Sequence, residues 1–414
     1  MSLSTNDVDV LVVGGGPAGL AAAIELRRLG VARVLVVDRE PAAGGVPRHS
    51  MHTGFGLRDL HRVLSGPRYA ERYVRRAEDA GVEIRTATTA TGWTAPTALS
   101  LTSSAGIGEV RARAVLLATG CRERPRAARL IPGTRPAGVL TTGALQQMVY
   151  LHRQPIGTRA VVVGAEHVSF SAILTLAHAG ATAAAMVTEH QRHQSYAAFR
   201  WLTATRWRVP ILTSSLVEAI HGRQRVEGVT VRNLHAGRAA EIACDTVVFT
   251  GDWIPDHELA RRGDVAIDRA GGAPRVDLGL RTSRRGVFAA GNVLHGAETA
   301  DVAALSGRHA AGAVRSYLDS GAWPDRLALR CETPLRWVSP GAIDARLPPP
   351  HGHFILRTAE IASGAWLVIA QGARVLWRQR YRQLLPNRPI HVSAKWLAQV
   401  ELDGPEPVFR LVGK

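Results

Sequence analysis

Apolar and polar positions alternate in recognisable rhythms along the 414-residue chain, and each rhythm predicts an element. From Val8 to Asp38 the β-branched run "VDVLVV" passes through a glycine-rich turn into "GPAGLAAAIELRRLG". The apolar residues of that second segment recur at helical spacing up to Gly30, and "VLVVD" then reads as a second strand. Short alternating segments follow, "VEIRTATTA" and "ALSLTSS", and then the buried run "AVLLATG". About 150 residues after the first glycine turn the order repeats: "AVVVG", a helix from about His167 to Ala179, "TAAAMVTE", "EGVTVRNL" and "DTVVFTG". A loop, the strand in "RTSRRGVFAAGN" and the helical "TADVAALSGRHAAGAVRSYL" come next. The tail changes character again, from Pro-rich "SPGAIDARLPPP" to the strands in "HFILRTAEI", "AWLVIAQGARVLW" and "RPIHVSAKWLAQV".

Two strand–turn–helix units and a strand-rich tail predict an α/β protein: one Rossmann-like domain interrupted by a second, then a small β-rich domain. The expected boundaries are 1–154 and 254–328 for the first domain, 155–253 for the insert and 329–414 for the tail. An apolar fraction of 46% with 41 glycines suits such a fold. No apolar run reaches the length of a membrane span. The acidic start, "MSLSTNDVDV", lacks the basic flank of a secretory signal, and a cytoplasmic location is expected. Cys121, Cys244 and Cys331 lie too far apart in sequence for a CxxC dithiol or a metal cluster, so no metal site is expected. The net charge of +17 comes almost wholly from arginines scattered along the chain, without the clustering or motif of a nucleic-acid surface.

The first turn is where chemistry enters. Gly14, Gly16 and Gly19 satisfy GxGxxG, with Pro17 and Ala18 opening the helix, and Asp38 stands nineteen residues after Gly19 at the end of the second strand. In that context the glycines serve a tight turn, close approach of pyrophosphate, and helix–strand packing. The helix N-terminus adds partial positive charge, and Asp38 suits the ribose hydroxyls of an adenosine.

These residues resemble the two-dinucleotide-binding-domain flavoproteins over roughly residues 8–320. The resemblance implies FAD as cofactor. It assigns Arg39 and the "EPAAGG" loop with Gly44 and Gly45 to the pyrophosphate, and Thr119 and Gly120 to the return strand. It also makes "TSRRGVFAAGN" a second FAD motif ending in Gly291 and Asn292, followed by Glu298 and Thr299. The family usually has Asp where Asn292 stands, so altered rather than lost contacts are expected.

By the same resemblance the insert should hold NAD(P)H, yet its loop "VVVGAEHVS" keeps only Gly164, with Glu166 and Ser169 at the second and third glycine positions. Two like charges ~4 Å apart repel by about 4 kcal/mol at an effective dielectric near ~20, or roughly three orders of magnitude in affinity. The second nucleotide site is therefore expected to be vestigial, although Glu189 could still meet a ribose.

A narrower resemblance rests on "GGVPRHSMHTGFGLRD", "ATGCRERPR" and "FAAGNVLHGAETAD". These are similar to FAD subunits of heteromeric amine and amino-acid dehydrogenases. The resemblance implies oxidation of a small amine or amino acid, and partner subunits such as a second flavoprotein or an iron–sulfur protein. Within it Arg48, His49 and His52 are the catalytic candidates, with His295 and Glu298 beside the second motif. Arg122 and Arg124 read as surface charges. Two alternatives remain: an NAD(P)H-dependent flavin reductase, and a non-catalytic scaffold or electron relay. Trp366, Trp377 and Trp396 among the tail's arginines suggest an interface.

Overall fold

The computed structural model describes residues 6–195, 201, 203–296, 298–344 and 348–413. It folds as two compact units, one comprising residues 1–48, 53–121 and 255–414, the other residues 49–52 and 122–254.

In the first unit the run predicted from Val8 forms strand Asn6–Val13, the centre of a seven-stranded sheet. It pairs in parallel with Val34–Val37 and with Gly106–Leu117 (Val12 opposite both Val36 and Leu116). Burial on both faces explains why these strands are continuous apolar runs. Strand Gly106–Leu117 is long enough for two neighbours on one edge. Its first half pairs antiparallel with Ala98–Ser103, and its last three residues pair with Val287–Ala289. Helix Pro17–Arg28 and helix Ala300–Ser320 meet almost backbone to backbone: a Cβ on Gly307 would lie 1.9 Å from the Ala18 carbonyl oxygen. That close crossing brings the second glycine motif to the first.

The second unit repeats the plan with a five-stranded parallel sheet in the order Val139–Thr141, Thr246–Phe249, Arg159–Val163, Thr182–Val187, Ile211–Leu212. Helix His167–His178 follows the strand Arg159–Val163, and the meander Ser215–His221, Gly228–Asn233, Ala239–Ala243 forms a separate antiparallel sheet.

The tail is β-rich as expected. "AWLVIAQGARVLW" is a hairpin, Trp366–Gln371 with Arg374–Arg380, turning at Gly372 (φ +59°). Of the three tryptophans expected at an interface, one is core. Trp396 is fully buried, 5.1 Å from the Phe354 ring and 5.5 Å from Phe409 between centroids, while Trp366 and Trp377 are half-buried. Neither is the tail a loose appendage. Its core includes Leu278 from the flavin side. Buried Arg281 is ion-paired both to Asp277 (2.8 Å) and to Asp344. Breaking such a pair leaves an uncompensated buried charge, so the tail and the flavin fold stabilise each other.

Candidate functional site

The three glycines of the first loop have different reasons to be glycine. A Cβ at Gly14 (φ +111°) would sit 2.3 Å from the Ala118 carbonyl oxygen, and one at Gly19 would sit 1.9 Å from that of Gly14. At Gly16 the nearest atom to a Cβ is the Gly45 Cα at 3.9 Å, so this side of the loop faces open space. Helix Pro17–Arg28 also starts without a side-chain cap, leaving its first N–H groups and its positive end directed outward. Open space before uncapped amides is the cradle a pyrophosphate requires.

Around that cradle the predicted residues are mostly engaged with one another. Asp38 accepts from the Gly15 N–H (2.6 Å) and the Glu40 N–H (2.8 Å). Burial raises its carboxyl, and those two donors oppose the shift. It braces the glycine loop, and a carboxylate has further lone pairs for hydroxyls. The Gly44 N–H donates to the Gly15 carbonyl (2.7 Å), while Gly45 passes so near Gly16 that a Cβ there would lie 2.9 Å from the Gly16 Cα. Arg39 pairs with Asp256 (3.2 Å), whose backbone accepts from the Thr119 hydroxyl (2.7 Å) and donates to the Gly120 carbonyl (2.9 Å). Asp256 belongs to no recognisable sequence motif, and only the fold brings it to this loop.

At the second motif Gly291 (φ +78°) lies against Ala18, a Cβ there falling 2.5 Å from the alanine methyl. The Asn292 side-chain amide donates to the Glu298 carbonyl (3.0 Å), and its Oδ1 is buried with no partner. An orphaned buried acceptor beside an open cradle fits a ligand rich in hydroxyls. Thr299 precedes helix Ala300–Ser320 and accepts from Arg58 (3.0 Å). Glu298 forms a buried pair with Arg357 (2.7 Å).

The catalytic candidates are not equivalent. Arg48 belongs to the first unit and donates to the Ala42 carbonyl (2.8 Å), its stem lying along Gly44, so it clips the loop over the glycine turn. His49 and His52 group with the second unit. His49 is buried, its Nδ1 3.3 Å from the Gln146 Oε1, and His52 is half-buried. His295 is buried beside the second motif. Arg122 is exposed, and Arg124 pairs with Asp252 (3.2 Å).

The second loop is built the other way round. Glu166 is the N-cap of helix His167–His178 and forms a capping box with Ser169: its carboxylate accepts from the Ser169 N–H, and the Ser169 hydroxyl accepts from the Glu166 N–H (3.2 Å). That hydroxyl also lies 2.6 Å from the Thr250 Oγ1, which sits where a Cβ on Gly164 would go. The chain's own carboxyl thus occupies the helix end that a phosphate would need. Burial raises the Glu166 carboxyl. It also pushes Glu123 up to about 7, with Glu166 contributing. Two buried acids, Glu123 and Glu166, therefore interact at this loop.

Titration of the first unit should be visible in its stability. Burial lowers His295, His309, His353 and His391, and takes His351 down to about 4 from an ordinary 6.5. The unfolded chain then binds more protons than the folded one between about pH 6.5 and 4. Stability is whole above that window and falls as pH drops through it. His351 alone contributes about 1–3 kcal/mol once partial solvent screening is allowed. The flavin-release temperature, followed by flavin fluorescence, should decrease steadily from pH 7 to 5, and less so in His351→Phe. An unchanged temperature would contradict the neutral buried histidines.

Comparison with known proteins agrees with this geometry. The family model described as pyridine nucleotide-disulphide oxidoreductase matches residues 8–307. The chain belongs to that family. It is 26% identical to a thioredoxin reductase of Treponema pallidum over 328 residues, 76% of this chain and 98% of that protein. To an opine oxidase subunit of Rhizobium meliloti it is 28% identical over 375 residues, 83% of this chain but only 66% of that relative. The crystal structure of T. acidophilum thioredoxin reductase shares its fold, with a TM-score of 0.64 at 21% identity over 77% of this chain and all of that one. The protein is thus an FAD-binding oxidoreductase with the α/β fold of this family and a C-terminal β-rich part. Among the described residues no helix is long and apolar enough to cross a membrane.

Proposed function

We propose that the protein oxidises a small amine or amino acid as the FAD-bearing subunit of a heteromeric dehydrogenase, rather than reducing its flavin with NAD(P)H. The observation that carries this reading is the second loop, where Glu166, Ser169 and Thr250 fill the phosphate cradle from within. The thiols point the same way. Cys121, Cys244 and Cys331 form no disulfide, and burial pushes Cys244 up to about 11 and Cys331 to about 12, so neither of those two is a thiolate at neutral pH. Similarity to an opine oxidase subunit supplies the substrate class and the expectation of partner subunits.

When bound, FAD would supply a hydride acceptor for the carbon next to the substrate nitrogen, whose N–H proton would pass to an acceptor on this chain. The chain's residues have to bind and orient that substrate, keep water out, and accept the proton. Gly16 and the uncapped helix would hold the pyrophosphate, Arg48 would secure the covering loop, and Asn292 would offer its Oδ1 to the cofactor's hydroxyls. Burial lowers His295 and keeps it neutral, so one ring nitrogen can accept a hydrogen bond from the substrate while the same burial opposes its protonation.

Similarity along nearly the whole of a thioredoxin reductase favours a second reading, an NAD(P)H-dependent reductase. Anaerobic mixing separates the two. FAD-loaded protein, purified with any co-expressed partners, should lose its 450 nm absorbance with a member of an amine and amino-acid panel. Bleaching by NADH or NADPH alone, with none by the panel, would overturn the proposal.

A further inference from the structure

Strands Trp366–Gln371 and Arg374–Arg380 belong to a four-stranded sheet of the tail, in the order Arg330–Cys331, Val408–Val412, Trp366–Gln371, Arg374–Arg380. Alternation gives such a sheet two faces. On one of them Leu367, Ile369 and Phe409 are fully buried in the tail core. On the other, the register sets residues of three strands side by side. Arg410, Val368 and Arg378 form one row, and Val412, Trp366 and Arg380 the next. The three arginines and Val412 are exposed, while Val368 and Trp366 are half-buried. A further row pairs Ala370 with Val408 and opens into a groove of about 380 Å³, also lined by Arg330, Glu332 and Glu406. None of these residues belongs to the nucleotide loops.

The charges on this face are unbalanced. Arg330 has Glu332 at 4.0 Å and Arg374 has Glu401 at 2.7 Å, but Arg378, Arg380 and Arg410 have no ion-pair partner among the described residues. Arg378 lies over the Trp366 ring, 5.6 Å from its centroid, which leaves its N–H groups for an acceptor. Apolar side chains at the centre, with Trp and Arg about them, make the composition of an interface. Strands ~4.8 Å apart and alternate residues ~7 Å apart make the patch about 15 Å across. A whole-subunit interface covers about 800 Å² on each partner, so this patch suits one extended segment. A nucleic-acid strand fits less well. Glu332 and Glu406 in the groove repel a continuous line of phosphates, and Arg378 already covers one face of Trp366.

We propose that the outer face of this sheet docks an acidic segment of a partner protein, with its carboxylates on Arg378, Arg380 and Arg410 and an apolar side chain in the groove beside Ala370 and Val408. The inference goes beyond the proposed reaction and holds whichever substrate reduces the flavin.

Fluorescence anisotropy with FAD-loaded full-length protein tests it. The probe is a fluorescein-labelled decapeptide that alternates glutamate and threonine around one central phenylalanine. It should bind, whereas the same peptide with lysine in place of glutamate should not. Arg378→Gln/Arg380→Gln/Arg410→Gln should weaken binding at least tenfold. Its melting temperature and FAD content should be unchanged, since exposed side chains contribute little to stability. Arg206→Gln/Arg223→Gln/Arg238→Gln removes the same charge from exposed positions of the second unit and should weaken binding less than threefold. Arg410→Glu alone should weaken it at least threefold, and decides the matter if the first triple variant does not fold. No binding of the acidic peptide, equal losses in the two triple variants, or tighter binding of a single-stranded oligonucleotide or of phosphatidylglycerol vesicles would each overturn the docking face.

Discussion

Gly16→Glu should yield a folded protein that no longer retains FAD. Gly16 has φ −81°, a conformation any L-residue adopts, and a Cβ there meets nothing closer than 3.9 Å. The new side chain therefore enters the phosphate cradle without disturbing the backbone, and its carboxylate stands against the pyrophosphate. Repulsion of about 4 kcal/mol corresponds to roughly a thousandfold loss of affinity, before the bulk of the side chain is counted. Gly19→Ala is the contrasting control. Its Cβ would collide with the Gly14 carbonyl at 1.9 Å, so that variant should lose thermal stability as well as flavin. The ratio of 450 to 280 nm absorbance after gel filtration, read beside a circular-dichroism melt, distinguishes them. Stoichiometric FAD in Gly16→Glu would show that the loop is not the cofactor cradle.

The second large effect concerns the insert. Neither NADH nor NADPH should bind with a micromolar dissociation constant, because Glu166 caps helix His167–His178 where a phosphate would sit. Glu166→Gly with Ser169→Gly removes both halves of the capping box and reopens the helix end. Glycine is itself a tolerable N-cap, so the stability cost is about 1 kcal/mol or less. Nucleotide affinity should rise at least tenfold, by the Coulomb and occupancy arguments together. Titration calorimetry checks both parts. A micromolar constant for the unmodified protein, or no gain in a folded double variant, would contradict the account of a self-filled loop.

Much of the flavin cradle is legible in the sequence because it is local. Gly14 to Asp38 spans one strand, one turn, one helix and the next strand, and the spacing of glycines in such a unit follows from backbone sterics alone. The loss of two glycines in the repeat is equally visible, though the sequence suggests a charge in an open cradle. The structure shows a cradle already filled, with Thr250 completing what Glu166 and Ser169 begin. The sequence makes Arg48 a catalytic candidate, and the structure adds that its guanidinium lies on the Ala42 carbonyl, a partner that no spacing rule indicates.

What the sequence by itself determined is the set of features carried by short-range periodicity and by residue chemistry. These are two strand–turn–helix units, an intact and a degenerate glycine loop, the absence of a CxxC dithiol, and a strand-rich tail. What only the tertiary structure decided depends on residues far apart in the chain. Glu298 and Arg357 stand 59 positions apart, and they meet because the tail folds back on the second motif. Trp396 looks like surface in an arginine-rich segment and is core, since the 3-10 turn Ala394–Gln399 rotates it against Phe354 and Phe409. Alternation along a strand says which positions share a face, but which face is buried is set by the layer that covers it, and that layer comes from elsewhere in the chain.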